Sequence, residues 1–278
     1  MMLQKDRVAL VTGGARGLGW GIARALGIAG AKVCVTDLSD DELARCARDL
    51  AADGTEFEIC RSDVADLADC QGVVKKVVDR WGRLDIVVHN AIYMPLITFE
   101  ASTPAGWSRQ IDVGLGGLFN CCHAVWGQMK AQGGGHIIGI ASGSSVRGYK
   151  EEVAYCTVKH GIEGFVKALS LEAKPHNIAL NTIGPGTRIK PTRITWAEHD
   201  QASAEARATW ADPVALGEAW VWLAAQPPSR FSGHRFDAAK IVETIAREGG
   251  NFEFAVEKVT LYPEDFRARQ DWYDNYAD

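Results

Sequence analysis

The sequence predicts an α/β fold in which a doubly wound parallel sheet of about seven strands carries helices on both faces. Short β-branched runs alternate with longer segments whose apolar residues recur at helical spacing, between residues 7 and 236. A glycine-rich turn, Gly13 to Gly19, separates the first such run from the first helical segment. Polar side chains follow several strands, and the carboxyl ends of parallel strands meet at one edge, where ligands bind.

Length and composition are those of a soluble globular protein. The 278 residues include 30 basic and 35 acidic side chains with a formal net charge of −5, so nothing indicates a nucleic-acid partner. No apolar run approaches the roughly 20 residues of a membrane helix, and the N-terminus lacks a signal-type apolar segment. We expect a cytoplasmic protein that acts on a small molecule. A single catalytic domain is expected at 1–250, with an extension at 251–278 packed on it or on a neighbouring subunit.

The cysteines and histidines show neither a disulfide pattern nor a metal-binding pattern. The seven cysteines lack C-x-x-C spacing and the seven histidines are scattered, so we expect reduced thiols and no metal. Cys156 could be a nucleophile. It points in a different helical direction from Tyr155 and Lys159, however, and we interpret it as structural.

The first strand–helix–strand unit has the features of a dinucleotide site. A strand from Arg7 to Thr12 enters the glycine turn, and the following helix runs to Gly30. Glycines let the backbone approach a pyrophosphate, whose charge is stabilised by the N–H groups at the helix N-terminus. The second strand, Ala31 to Thr36, ends at Asp37, whose carboxylate can accept hydrogen bonds from ribose hydroxyls.

Three further strands end beside polar residues. The strand at 56–60 precedes Asp63-Val64, where Asp63 could hold the adenine, cap the next helix, or do both. The strand at 84–89 runs into Asn90-Ala91, and the strand at 136–141 delivers Ser142. Helices are predicted at 40–52, 66–80 and 103–132. The last of these has glycines close together at Gly114, Gly116 and Gly117, which imply close packing or a kink.

The last third of the chain is predicted to complete the sheet and to form a lid. A helix ends near Lys174, where Pro175 stops it, and the sixth strand at 178–183 exits at Gly184-Pro185-Gly186. The polar segment from Thr187 to Trp210 follows and suits a lid that orders on binding. A helix from Pro213 to 225 and a seventh strand at 233–236 are predicted next.

Tyr155 and Lys159 form the candidate catalytic pair. Four residues apart, they lie on one face of a helix, thirteen residues after Ser142. A nearby ammonium is expected to lower the phenol pKa from about 10 toward neutrality, so that Tyr155 can take or give a proton. The pair alone is weak evidence, because such spacing is common on amphipathic helices.

With these motifs in order, residues 5–236 resemble the short-chain dehydrogenase/reductase family, whose sheet is of the Rossmann type. The resemblance implies that Tyr155 is the general acid/base, that Lys159 lowers its pKa and binds the nicotinamide ribose, and that Ser142 hydrogen-bonds the substrate oxygen. It also implies a homodimer or homotetramer formed through the helices at 103–132 and 152–174. The residues expected around the cofactor are Gly13, Arg16, Gly17, Leu18, Gly19, Asp37, Asp63, Val64, Asn90, Ala91, Tyr155, Lys159, Pro185, Gly186 and Thr187.

Four features depart from the family's pattern. Its Asn-Asn-Ala-Gly segment is replaced by His89-Asn90-Ala91-Ile92, and its water-holding helix asparagine aligns with Gly114. Its threonine after Pro-Gly aligns with Lys190, and its Asp-Gly-Gly ending is replaced by residues 231–236 and a longer tail. In the family, that asparagine holds a water that relays protons to the lysine. We expect main chain at Gly114, or a neighbouring residue, to hold this relay water instead.

The expected function is an NAD(H)-dependent oxidoreductase that interconverts a secondary alcohol and a ketone. Two alternatives stay open: a dinucleotide-binding regulatory or scaffold protein without turnover, and an epimerase or dehydratase on the same fold. Arg16 could bind a 2′-phosphate whereas Asp37 would repel it, so NAD is expected over NADP. The expected walls of the substrate pocket, besides the lid, are Tyr93, Met94, Ser144, Arg147 and Tyr149.

The composition of the tail at 251–278 supports two opposite interpretations, disorder and packing. Its seven acidic and three basic residues are typical of a disordered segment, but disordered segments are poor in aromatic residues. We therefore predict that the tail is ordered and packs across a subunit interface or over the substrate mouth. Its aromatic residues are Phe252, Phe254, Tyr262, Phe266, Trp272, Tyr273 and Tyr276.

Overall fold

Seven parallel strands form one sheet in the computed structural model, which describes residues 3–253. The strands are β1 Val8–Thr12, β2 Lys32–Asp37, β3 Phe57–Arg61, β4 Ile86–His89, β5 Gly135–Ile140, β6 Ile178–Gly184 and β7 Arg235–Asp237. The strand order is β3-β2-β1-β4-β5-β6-β7, so the sheet winds outward in both directions from β1 and β4. The predicted fold class is confirmed.

Helices cover both faces of the sheet and bury two apolar layers. The helices are α1 Gly17–Ile28, α2 Asp40–Ala52, α3 Leu67–Trp81, α4 Pro104–Ile111, α5 Gly117–Ala131, α6 Val153–Ala173, α7 Trp196–Gln201, α8 Ala204–Ala208, α9 Pro213–Ala224 and α10 Ala238–Glu248. Alternation along β1 shows the division: Ala9 and Val11 belong to the apolar layer of α1, α2, α9 and α10, whereas Val8 and Leu10 belong to the layer of α3, α5 and α6.

The helix predicted at 103–132 is not continuous. Thr103 caps α4 by accepting a hydrogen bond from the amide of Gly106 at 3.1 Å, as a helix start requires. A π-helical turn, Asp112–Gly116, then separates α4 from α5. The interruption lies at the glycines, where close packing or a kink was expected.

The region after β6 contains helices that were not predicted. The expected lid carries the short helices α7 and α8, and α10 follows β7 directly, because Asp237 accepts a hydrogen bond from the amide of Lys240 and caps it. The seventh strand begins two residues later than predicted and ends at Asp237. No helix within residues 3–253 is long and apolar enough to cross a membrane.

The start of the tail packs on the domain. Phe252 is 6% exposed and stacks on Trp222, with ring centres 4.8 Å apart and an interplanar angle of 5°. The Arg230 guanidinium donates a hydrogen bond to the backbone carbonyl of Phe252 at 3.2 Å. The other aromatic residues of the predicted tail contact lie outside the described residues, so the proposal for them stays a prediction.

Candidate active site

One cavity of about 560 Å³ opens at the carboxyl ends of the strands. It brings Ser142, Tyr155 and Lys159 together with most of the residues expected around a cofactor. Tyr93 and Met94 also line it, as expected for the substrate pocket. The predicted cofactor residues in its wall are Gly13, Arg16, Gly17, Leu18, Asp37, Asp63, Val64, Asn90, Ala91 and Pro185.

Three predicted cofactor residues do not line this cavity. A Cβ on Gly19 would lie 2.4 Å from Nδ2 of Asn90, so this glycine allows contact between α1 and the end of β4. Gly186 has φ +68°, and a Cβ there would lie 1.8 Å from Oδ1 of Asp237. Thr187 is exposed. Gly19 and Gly186 therefore allow neighbouring parts of the chain to approach closely beside the cavity.

Three predicted walls of the substrate pocket are also absent from the cavity lining. Ser144 is 3% exposed and its hydroxyl donates to Oε2 of Glu152 at 2.8 Å. Arg147 is exposed, and Tyr149, which is 44% exposed, lies beside Gly143. The loop after Ser142 therefore directs these side chains away from the cavity.

The glycine turn fits a dinucleotide pyrophosphate. Gly13 and Gly17 both have φ +57°, and a Cβ on Gly13 would lie 2.7 Å from Cα of Ala91. Arg16 occupies the N-cap position of α1 without a side-chain hydrogen bond to the first turn, whereas Ser39 caps α2 and Asp66 caps α3. The first N–H groups of α1 are thus left for an anion.

Asp37 ends β2 and lines the cavity where the adenosine ribose was expected. Its carboxylate accepts hydrogen bonds from the amides of Leu38 at 2.8 Å, Ser39 at 3.4 Å and Ala15 at 3.4 Å, so the strand end holds the side chain in place. The guanidinium of Arg16 lies 3.8 Å from the carboxylate of Glu42. Arg16 therefore has an intramolecular partner on α2, whereas Asp37 is held by backbone amides.

Asp63 lines the cavity but does not cap the next helix. Its Oδ1 accepts from the amide of Ala65 at 3.0 Å, and its Oδ2 pairs with the guanidinium of Arg109 at 2.9 Å. The cap of α3 is Asp66, which accepts from the amides of Ala68 and Asp69. The capping alternative for Asp63 was wrong because the helix starts three residues later.

The candidate catalytic side chains meet where β5 and α6 approach each other. Nζ of Lys159 donates to the carbonyl of Ile140 at 2.7 Å and lies 5.4 Å from the ring centre of Tyr155. Burial lowers the pKa of Lys159 to about 8, while Glu163 acts in the opposite direction. Burial raises the pKa of Tyr155 to about 12, against the effect of its hydrogen bond with Ser142.

The expected lowering of the Tyr155 pKa toward neutrality is thus wrong for this structure. Burial of the phenol outweighs the hydrogen bond with Ser142, because the phenolate would lose its hydration, and the charge of Glu152 raises the pKa further. At neutral pH Tyr155 is therefore a neutral phenol. This protonation state suits a proton donor.

An ion pair between Glu163 and Arg235 lies next to Lys159. Glu163, one helical turn further along α6, is 8% exposed and its Oε2 accepts from the hydroxyl of Thr182 at 3.0 Å. Nε of Arg235 lies 3.6 Å from Oε1 of Glu163, and its NH2 group donates to the carbonyl of Ser142 at 2.7 Å. Arg235 therefore connects the backbone of Ser142 to the carboxylate that faces Lys159.

His89 links the end of β4 to the π-helical turn. Burial lowers the pKa of His89 to about 4, so the imidazole is neutral at neutral pH. Its Nε2 donates a hydrogen bond to the carbonyl of Gly114 at 2.8 Å. Its Nδ1 lies 3.3 Å from the hydroxyl of Thr12, which accepts from the amides of Asn90 and Ala91. The carbonyl expected to hold a relay water thus already accepts one hydrogen bond, and the water stays a prediction.

Sequence reasoning missed several residues of the cavity wall. Lys190 belongs to the segment expected as a lid and pocket wall, but the sequence did not indicate its position beside the glycine turn, where it is 8% exposed. Ser62 and Arg109 also line the cavity. Ser62 follows β3 directly, a signal that could have identified it, whereas Arg109 reaches the site only through tertiary packing. No three His, Cys, Asp or Glu side chains within residues 3–253 form a group that could hold a metal ion.

Comparison with known proteins agrees with this geometry. Residues 7–202 match the family described as short chain dehydrogenase. D-threitol dehydrogenase of Mycolicibacterium smegmatis is 35% identical over 64% of this chain and 69% of its own length. The 3-alpha-(or 20-beta)-hydroxysteroid dehydrogenase of Mycobacterium bovis is 34% identical over 93% of this chain and 96% of its own length.

A solved structure shows the same architecture with a ligand. The crystal structure of a metagenomic short-chain oxidoreductase in complex with NADP superposes with a TM-score of 0.71 at 26% identity. The match covers 84% of this chain and 98% of that one. The sheet order, the site and the family match lead to one conclusion: the chain belongs to the short-chain dehydrogenase/reductase family of NAD(P)-binding oxidoreductases.

Proposed function

We propose that the protein is an NAD(H)-dependent oxidoreductase that interconverts a secondary alcohol and a ketone. The observation that carries this proposal is that one cavity holds Tyr155, Ser142 and Lys159 together with the glycine turn and Asp37. The relatives named above act on alcohols, as their names state. The catalytic unit is proposed to be residues 1–250, and the protein to be cytoplasmic.

The residues of the site divide the proton chemistry between them. Bound nicotinamide supplies or accepts the hydride. During reduction, the Ser142 hydroxyl donates a hydrogen bond to the ketone oxygen, and Tyr155 transfers its proton to that oxygen as charge develops. The Lys159 ammonium stabilises the phenolate that remains. Oxidation of the alcohol uses the same groups in reverse.

A turnover assay tests the proposal against its alternatives. NADH oxidation is followed by absorbance with a panel of ketones, and NAD reduction with the matching alcohols, while products are analysed chromatographically. Turnover coupled to the NADH signal supports the proposal. Tight NADH binding without turnover of any substrate would instead support the scaffold alternative. Product formation without net NADH change would support an epimerase or dehydratase.

NAD is the proposed coenzyme, and the wild-type protein should have a higher kcat/KM with NADH than with NADPH. The carboxylate of Asp37 is fixed by three backbone amides at the ribose end, whereas Arg16 has Glu42 as a partner. Asp37→Ala should narrow the preference, because it removes the charge that repels a 2′-phosphate. Asp37→Asn keeps an oxygen that accepts hydrogen bonds from the amides. It therefore separates the effect of the lost charge on coenzyme preference from the effect of a changed local structure. A higher kcat/KM with NADPH in the wild type contradicts the assignment.

The pH dependence of reduction should follow Lys159. Its folded pKa is about 8, so the charged form is lost as pH rises through that value, and kcat/KM should fall above it. Glu163 raises this pKa, so Glu163→Gln should move the alkaline limb to lower pH. Glu172→Gln, an exposed change farther along α6, serves as the control. Equal limb positions in wild type and Glu163→Gln would show that Lys159 does not set the profile.

A homodimer or homotetramer is the proposed assembly. Phe119 on α5 is 50% exposed and Leu171 on α6 is 76% exposed, and both helices lie on the face where the family resemblance implies association. Light scattering coupled to size exclusion should give a mass of two or four chains. A monomeric mass at micromolar concentration would contradict this part of the proposal.

A further inference from the structure

Lys190 lies in the cavity wall beside the glycine turn. Its Cε and Nζ are 3.8 and 3.9 Å from the position that a Cβ on Gly17 would take. Gly17 is the first residue of α1, so the ammonium lies next to the helix N-terminus that fits a pyrophosphate. The side chain belongs to the segment between β6 and α9, predicted as a lid, and yet only 8% of the residue is exposed.

The lid is fastened to the glycine turn by Trp196. The indole Nε1 donates to the carbonyl of Ala15 at 3.0 Å, and the backbone amide of Trp196 donates to Oε1 of Glu42 at 3.1 Å. Nζ of Lys190 donates to the carbonyl of Ile194 and lies 5.7 Å from the Trp196 ring centre. These contacts hold the ammonium in place at the cavity wall.

The charges around Lys190 leave it without a close anion. Within residues 3–253, no carboxylate lies at ion-pair distance from its Nζ; the carboxylates of Glu42 on α2 and Glu198 on α7 act on it from farther away. Burial, followed by the positive charge of Arg16, lowers the pKa of Lys190 to about 8. Two cations therefore flank the start of α1, an arrangement that an anionic ligand would stabilise.

We propose that Lys190 binds the pyrophosphate of the dinucleotide and thereby ties the lid to the bound cofactor. The alternative source of phosphate is the 2′-phosphate of NADP(H). The position of Lys190 beside Gly17, rather than beside Asp37 at the ribose end, favours the pyrophosphate. The inference rests on dinucleotide binding by this site but not on turnover, so a failure to find a substrate leaves it testable.

Direct binding measurements test the assignment. Isothermal titration with NADH, NADPH and ADP-ribose should show that Lys190→Met weakens all three by about tenfold, as expected for one charge-assisted phosphate contact. Lys190→Arg should restore most of the affinity. Lys240→Met removes an exposed lysine from α10 and should change none of the three dissociation constants. Melting temperatures in the absence of ligand show whether each variant is folded.

Two results would overturn the inference. Unchanged Kd values for NADH and ADP-ribose in Lys190→Met would show that the ammonium does not contact the pyrophosphate. Weakening confined to NADPH would assign Lys190 to the 2′-phosphate instead. If Lys190→Met fails to fold, Lys190→Gln provides the same comparison.

Discussion

Replacing Tyr155 with phenylalanine should lower kcat by about 10²–10⁴-fold, the usual contribution of a general acid or base. The substitution removes one hydroxyl and keeps the ring, which packs 5.4 Å from the Lys159 ammonium. The Kd for NADH should change by less than about threefold, because the substitution removes neither a charge nor the aromatic ring that shapes the site. Stopped-flow turnover and NADH fluorescence measure the two quantities separately.

A matched control separates this loss from damage to the helix. Thr157→Val removes a hydroxyl from the same helix at an exposed position, where Thr157 bonds only the carbonyl of Val153 among the described contacts. It should keep wild-type kcat. Full activity in Tyr155→Phe would remove Tyr155 from the mechanism. Equal losses in both variants would point to the helix rather than to the phenol.

Local pattern explains why the sheet and most of the cavity were predictable from sequence. The β-branched strands, the glycine turn and the residues that follow strand ends are short-range features, and a parallel sheet gathers strand ends at one edge. Thus Asp37 and Ser142, far apart in sequence, were both expected at the cavity and both line it. Their position depends on strand order alone.

Tertiary contacts explain what the sequence did not show. The π-helical turn accepts a hydrogen bond from His89, which lies 25 residues before Gly114 in the sequence. The pKa of Tyr155 depends on how deeply the assembled site buries the phenol, which residue spacing does not reveal. Lys190 reaches the glycine turn because Trp196 fastens the lid there, a contact that spans 181 residues to Ala15.

The replacement Gly114→Asn should destabilise the protein by about 2 kcal/mol or more, as overpacked cores do. A Cβ on Gly114 would lie 2.4 Å from Cγ1 of Val158 and 2.8 Å from Cδ1 of Ile92. Both apolar side chains therefore occupy the space that a side chain at 114 would need. Thermal unfolding should show a melting temperature lowered by about 4–8 °C for that energy in a chain of this size.

Gly127→Asn provides the control for asparagine in this helical region. Nothing lies within 4 Å of a Cβ placed on Gly127, which is exposed on α5, so that variant should keep the wild-type melting temperature. A loss as large as that of Gly114→Asn would show that asparagine, rather than its packing against Ile92 and Val158, is responsible.

A mutant cycle then tests whether the unusual residues at 92 and 114 form one packing arrangement. In an Ile92→Ala, Val158→Ala background, Gly114→Asn should cost at least about 1 kcal/mol less than in the wild type, because its neighbours no longer occupy the space. Equal costs in both backgrounds would show that the positions are independent. Coupling would mean that Gly114 leaves the space that Ile92 and Val158 together fill. In that case the departures of Ile92 and Gly114 from the family pattern belong to a change of packing around an intact Ser142, Tyr155 and Lys159, and they do not by themselves indicate a binding protein without turnover.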